Sequence, residues 1–178
     1  MKPGPFYRWG IVWYVLVLLC ALGWWSIRHH NRSSRLKVDE APFPEDHPTY
    51  YQSISLERTA CFGTCPVYTV TLHQDGRAEY QARAHLPELG NFEGKFSSDE
   101  FRRLSYFIEN CGFERLSGKY SASHTDDSTC IVRATSDSDT KVVSNYGDAG
   151  PVDLWAVEEL IDGVRARIAW SRVSNNSH

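Results

Sequence analysis

The sequence predicts an α+β domain: an antiparallel sheet with helices packed on one face, in the order ββββ-α-ββ-α, preceded by one transmembrane helix. Three observations predict it. Apolar residues alternate at period two in short segments, they recur at helical spacing in two longer ones, and one charge-free run of membrane length precedes them all.

That run is Trp9–Ile27, nineteen residues without a formal charge. As a helix it spans about 28 Å, close to the hydrocarbon thickness of a bilayer. Trp9, Trp13, Trp24 and Trp25 lie near its two ends, where aromatic side chains favour the interface. The residues at its C-terminal end, Gly23-Trp24-Trp25-Ser26, are too bulky for a signal-peptidase site, so an uncleaved anchor is the expectation. Residues 1–8 are its N-terminal flank, 28–49 a basic and then proline-rich linker, 50–170 the globular domain, and 171–178 a disordered tail.

Charge divides the chain. Residues 1–38 hold six of the 19 Lys and Arg and no acid, leaving 13 basic side chains against 22 acidic ones in 39–178, a net of −9. So acidic a domain is repelled by phosphate backbones, and no nucleic-acid partner is expected. The four basic residues just after the span favour a cytoplasmic domain, whereas the export-like start and the cysteines favour an extracytoplasmic one on a single-pass membrane protein. The extracytoplasmic orientation is the expectation, with the membrane and an unidentified envelope protein or ligand as partners.

The strands follow in order. Ile54 and Leu56 alternate with Ser53, Ser55 and Glu57; Tyr68, Val70 and Leu72 with Thr69 and Thr71; Ala78, Tyr80 and Ala82 with Glu79 and Gln81. Parity settles the intervening turn. A three-residue Gln74-Asp75-Gly76 loop keeps both apolar faces together by pairing Leu72 with Ala78, Val70 with Tyr80 and Tyr68 with Ala82, with Gly76 left-handed in a bulge. Asn91–Phe96 is a short fourth strand.

Ser97 or Ser98 then caps a helix with Asp99 and Glu100 in its first turn, Phe101, Leu104, Ile108 and Cys111 along one face, and Gly112 at its end. Residues 117–127 read as a polar loop. Cys130, Val132 and Ala134 alternate in a strand that turns at 136–139 and returns over 141–146. Pro151 at the first helical position opens the closing helix, whose inner face is Leu154, Val157, Ile161, Val164 and Ile168.

The chemistry-bearing stretch is Cys61-Phe62-Gly63-Thr64-Cys65-Pro66, between the first two strands. A disulfide closing this loop suits an oxidising compartment, although so short a loop stabilises little. Cys111 and Cys130 either bridge to each other or stay as buried thiols, and four domain cysteines allow three pairings. The alternative is a thiol-based copper or zinc site, or redox exchange, through Cys61 and Cys65, with His124 as a distal third metal ligand. Ser, His and Asp lie close together in 120–127, but a polar turn tied down by Asp126 explains them better than a catalytic triad. Tyr120, Asp126 and Lys141 form a candidate ligand patch, with Lys141 paired to Asp126. No phosphate-cradling glycine loop, His-Glu-x-x-His or Gly-x-Ser-x-Gly motif occurs, so no catalytic residue is assigned and the leaning is towards a non-enzyme without a cofactor.

Cys61-Phe-Gly-Thr-Cys-Pro-Val-Tyr68 followed by Asp75-Gly76 resembles the opening of the bacterial domain of unknown function 6438. Tyr120 with Thr125-Asp126, then Lys141-Val142-Val143, then Pro151 with Leu154 fit the same pattern in the same order. The resemblance covers about residues 50–168. It implies an N-terminal export or membrane segment, and with it a single-pass protein of a bacterial inner membrane, and supplies no catalytic residues. Cys-x-x-x-Cys-Pro is also similar to the copper-binding motif of Sco-type cytochrome oxidase assembly proteins. There, however, the motif leads into a helix, and here Pro66 leads into an alternating strand.

Overall fold

The computed structural model describes residues 47–174. Its strands are β1 Ser53–Arg58, β2 Val67–His73, β3 Arg77–Ala84, β4 Gly90–Lys95, β5 Lys119–Ser121, β6 Thr129–Thr135, β7 Thr140–Tyr146 and β8 Ser171–Arg172. Its α-helices are α1 Ser98–Asn110 and α2 Val152–Arg167, and a short 3-10 turn spans Phe113–Arg115. All eight strands join one sheet in the order β5-β7-β6-β1-β2-β3-β4-β8.

This corrects the antiparallel expectation. Strand β5 runs parallel to β7, pairing Lys119 with Ser144 and Ser121 with Tyr146, so the sheet is mixed. Both added strands lack a readable period. Strand β5 lies inside the polar segment 117–127, and its pairing comes from the open edge of β7 rather than from an apolar face. Strand β8 lies in the stretch read as a disordered tail. It pairs with Phe92 and Glu93, and the Arg172 guanidinium sits 5.0 Å from the Phe92 ring centroid. The expected transmembrane helix at 9–27 lies outside the described residues. Among the described residues no helix is long and apolar enough to cross a membrane.

The β2–β3 hairpin has the expected register, Leu72 opposite Ala78, Val70 opposite Tyr80 and Tyr68 opposite Ala82. Gly76 is left-handed there (φ 83°), and a Cβ would lie 2.7 Å from the Phe96 carbonyl oxygen. Glycine is what the turn requires.

Period-two alternation aligns the inward side chains in rows across the sheet. One row is Lys141, Ala134, Ile54, Leu72, Ala78 and Gly94; the next is Val143, Val132, Leu56, Val70, Tyr80 and Phe92. A third row, Asn145, Cys130, Arg58, Tyr68, Ala82 and Gly90, sits at the end of the sheet that carries the cysteine loop. The first two rows are almost wholly apolar. The third is where polar groups enter the interior.

Both helices cover the same face and run across the strands in opposite directions. Helix α1 starts where Phe96 N–H donates to Gly76 O (3.0 Å) and is capped by Ser97, whose hydroxyl accepts from Asp99 N–H at 3.2 Å. It buries Phe101, Leu104 and Ile108. The chain beyond it reaches β7, where Lys141 Nζ donates to the carbonyls of Glu114 (3.0 Å) and Leu116 (2.7 Å). Helix α2 returns over the third row. Pro151 is its N-cap residue rather than its first helical one, and Leu154, Val157, Ile161, Val164 and Ile168 are all buried.

Candidate functional site

Four loops converge at the third-row end of the sheet: residues 59–66, 85–89, 122–128 and 147–151. Cys61 and Cys65 are joined by a disulfide. The bond closes a five-residue ring whose tip carries Phe62, 88 % exposed. The Phe62 N–H points to the Asp126 carbonyl at 3.5 Å, and Gly147 N–H donates to Ser128 O at 3.1 Å, so three of these loops touch. Every non-glycine residue with positive φ among the described residues lies in them: His85 (55°), Asp126 (73°) and Asp148 (52°). Such conformations are uncommon outside glycine and concentrate where a site holds its backbone against local preference.

Behind the disulfide lies a hollow of about 410 Å³, walled by Cys65, Pro66, Leu86 and Ser128 and by a charged cluster from β1, β2 and α2. Asp162 is the hub. Its Oδ2 accepts from Arg58 Nε (2.9 Å) and lies 2.8 Å from a terminal nitrogen of Arg58; its Oδ1 accepts from the Tyr68 hydroxyl (2.5 Å) and Arg165 Nε (3.1 Å). Burial first, and then the bond to Asp162, push the Tyr68 phenol well above its ordinary range, so it stays a donor. The Arg165 guanidinium also lies over the rings of Tyr68 (4.7 Å) and Tyr80 (5.6 Å). Glu159 stands at the rim, 3.8 Å from Arg58.

Farther along α2, Glu158 is 1 % exposed. It accepts from Asn145 Nδ2 at 3.0 Å, while Asn145 Oδ1 accepts from Gly150 N–H at 2.8 Å. Burial raises both the Glu158 carboxyl and the neighbouring Cys130 thiol above their ordinary values. This part of the cluster ties the β7–α2 turn to the sheet and is closed to ligands.

The candidate ligand patch does not assemble. Lys141 is occupied by the Glu114 and Leu116 carbonyls at the opposite end of the sheet instead of pairing with Asp126. The Tyr120 hydroxyl accepts from Ser117 N–H (3.0 Å). Of the three, only Asp126 stays beside the disulfide. Cys111 and Cys130 are free thiols, the first half-buried and the second buried. His124 Nε2 lies 3.0 Å from Asp127 Oδ2, an interaction that holds the Asp127 carboxyl below its usual range. Because the sulfurs of Cys61 and Cys65 bond to each other, they do not meet His124 as a ligand set. Among the described residues no group of three or more His, Cys, Asp or Glu is placed to hold a metal ion.

Arg58, Asn145, Glu158, Asp162 and Arg165 were not singled out from the sequence. The signal was there for three of them. Arg58 and Asn145 occupy inward positions in their strands, and Glu158 sits on the apolar face of α2. A polar residue on an inward position is the informative exception to burial patterning.

No curated protein matches the chain significantly. A family model described as a domain of unknown function matches residues 52–165. That span runs from just before β1 to Arg165, taking in the disulfide loop, the third row and the Asp162 hub. The chain belongs to the family of domain of unknown function 6438.

Proposed function

We propose that this domain is a non-enzymatic recognition module of the bacterial envelope, working outside the cytoplasm, with the disulfide end of the sheet as its contact surface. One observation carries the reading: a disulfide fixes a short loop whose Phe62 is 88 % exposed. An aromatic side chain held rigidly in water loses little conformational entropy on binding and fits the role of an interface anchor. The bond itself supports an oxidising compartment. The charge-free stretch 9–27 supports a membrane association that keeps the domain there.

The test is a thiol count with metal analysis on the full chain, exported without reductant and alkylated before digestion. It is paired with a photo-crosslinking residue at Phe62 or at Ser138. The expected outcome is a Cys61–Cys65 crosslinked peptide without metal, and a discrete adduct from position 62 but not from 138. Two free thiols at Cys61 and Cys65 holding about one equivalent of copper or zinc would overturn the reading and make the chain a metal-handling protein.

A further inference from the structure

We infer that the hollow behind the disulfide is a carboxylate-binding site built on Arg58 and Arg165, which rests on the recognition reading and names the ligand chemistry of that surface. The inference starts from how Asp162 is used. Its two oxygens take three hydrogen bonds, one of them from each arginine's Nε, and a terminal nitrogen of Arg58 lies 2.8 Å from Oδ2 as a further ion-pair contact. A carboxylate so placed fixes both guanidinium planes and has little accepting capacity left for a ligand. The trio of Arg58, Arg165 and Asp162 carries one net positive charge, held on preorganised groups.

Donors remain. A guanidinium offers five N–H groups, and the donors on its terminal nitrogens match a carboxylate in pairs. Among the described residues Arg165 has Asp162 as its one carboxylate partner, through Nε, and its guanidinium lies over the Tyr68 and Tyr80 rings and interacts with the Tyr80 hydroxyl. Both arginines line the hollow and are about a fifth to a quarter exposed, so a ligand reaches them. Ser128, whose hydroxyl makes no hydrogen bond among the described residues, lines the same space.

Glu159 sets the competition. It lies 3.8 Å from Arg58 with its side chain 53 % exposed, too loosely placed to satisfy the guanidinium and close enough to repel an incoming anion. At about 410 Å³ the hollow takes a small carboxylate or the last residues of a peptide. Leu86 and Pro66 give it an apolar flank for the carbon attached to the carboxyl.

The test is a titration of the full chain followed through the ¹⁵N–¹H signals of Arg58 and Arg165 Nε. The probes are acetate, acetyl-dialanine with a free carboxyl, and acetyl-dialanine amide. Both acids are expected to move the two signals and the amide to leave them still. Acetyl-dialanine binding more tightly than acetate identifies a peptide end as the source; equal affinity identifies a small free carboxylate.

Arg165→Gln is expected to weaken acid binding by about tenfold. Glu159→Gln is expected to strengthen it by about threefold at low salt, a gain that misfolding does not produce. An amide as effective as the acids, arginine signals that no probe moves, or a Glu159→Gln variant that binds no better each overturns the assignment. None of these outcomes touches the Phe62 crosslink, so the recognition reading stands or falls separately.

Discussion

The two ends of the sheet solve the same covering problem with different materials. Over the hairpin end, α1 lays Phe101, Leu104 and Ile108 on rows of Ile, Leu, Val and Ala, and the left-handed turn residue is Gly76. Over the disulfide end, α2 lays Glu158, Asp162 and Arg165 on Asn145, Arg58 and Tyr68, and left-handed backbone falls on His85, Asp126 and Asp148 as well as on glycine. The first arrangement is what stability alone favours. The second is harder to fold, because each buried polar group must find its partner and each strained residue must be held by its neighbours. Both ends share one core, so the contrast marks where the molecule gives up stability for something else.

Four measurements break or sharpen that contrast, and the largest effect belongs to the apolar end. Phe101→Ala removes a fully buried ring and is expected to lower unfolding stability by about 4 kcal/mol in urea titrations. A loss under about 1 kcal/mol would mean that α1 is not the structural half. At the other end, Asp162→Asn leaves two half-buried guanidiniums without their shared counter-charge. The expected loss is about 2–3 kcal/mol, reduced from a fully buried pair because these side chains keep some solvent contact.

Backbone substitutions come third and should have opposite signs. Gly76→Ala forces a Cβ onto the Phe96 carbonyl at positive φ and should cost about 1–2 kcal/mol. Asp126→Gly relieves strain and should gain about 0.5–1 kcal/mol, less what glycine adds to the unfolded chain's freedom. Thermal melts of the two variants give the comparison. If Asp126→Gly destabilises instead, the strain at the disulfide end is being used within the fold.

The smallest effect is a slope with pH. Burial holds the Glu158 carboxyl above its ordinary 4.5, so the folded state binds its proton more tightly than the unfolded chain does. Its contribution is therefore full below about that pH and is lost as pH rises through the folded-state value. Arg58 and the Asn145 amide oppose the shift, and Asp148 adds to it. Glu158→Gln keeps an acceptor for Asn145 and should flatten the fall of stability with pH. An unchanged slope in parallel urea titrations would assign it to other groups.

Much of the hairpin end could be read in the sequence, because alternation and capping are local rules. The β2–β3 register followed from keeping two apolar faces together, and Ser97 and Gly112 bound α1 as their chemistry suggests. Strands β5 and β8 were missed because three- and two-residue strands carry no period. Their pairing is a tertiary fact. The Cys61–Cys65 loop was visible as a motif, but its setting was not. Asp162 lies about a hundred residues beyond Arg58, and nothing local to either predicts that one carboxylate will gather both arginines and Tyr68. The Lys141–Asp126 pairing failed for a reason the hairpin itself carried: with the turn at 136–139, Lys141 opens the returning strand at the turn end, whereas residue 126 leads into β6 at the other end.

Strand β1, the earliest among the described residues, lies in the interior of the sheet, with β2 on one edge and β6 on the other. The β1–β4 meander closes through nearest neighbours, whereas Ser53 meets its partner Thr135 across most of the domain. During synthesis the second edge of β1 therefore waits, with its N–H and C=O groups unpaired, until β6 has left the ribosome. A strand flanked on both sides when folded is for a time an open template. Chaperone contact would act first on that edge, before the disulfide end has formed.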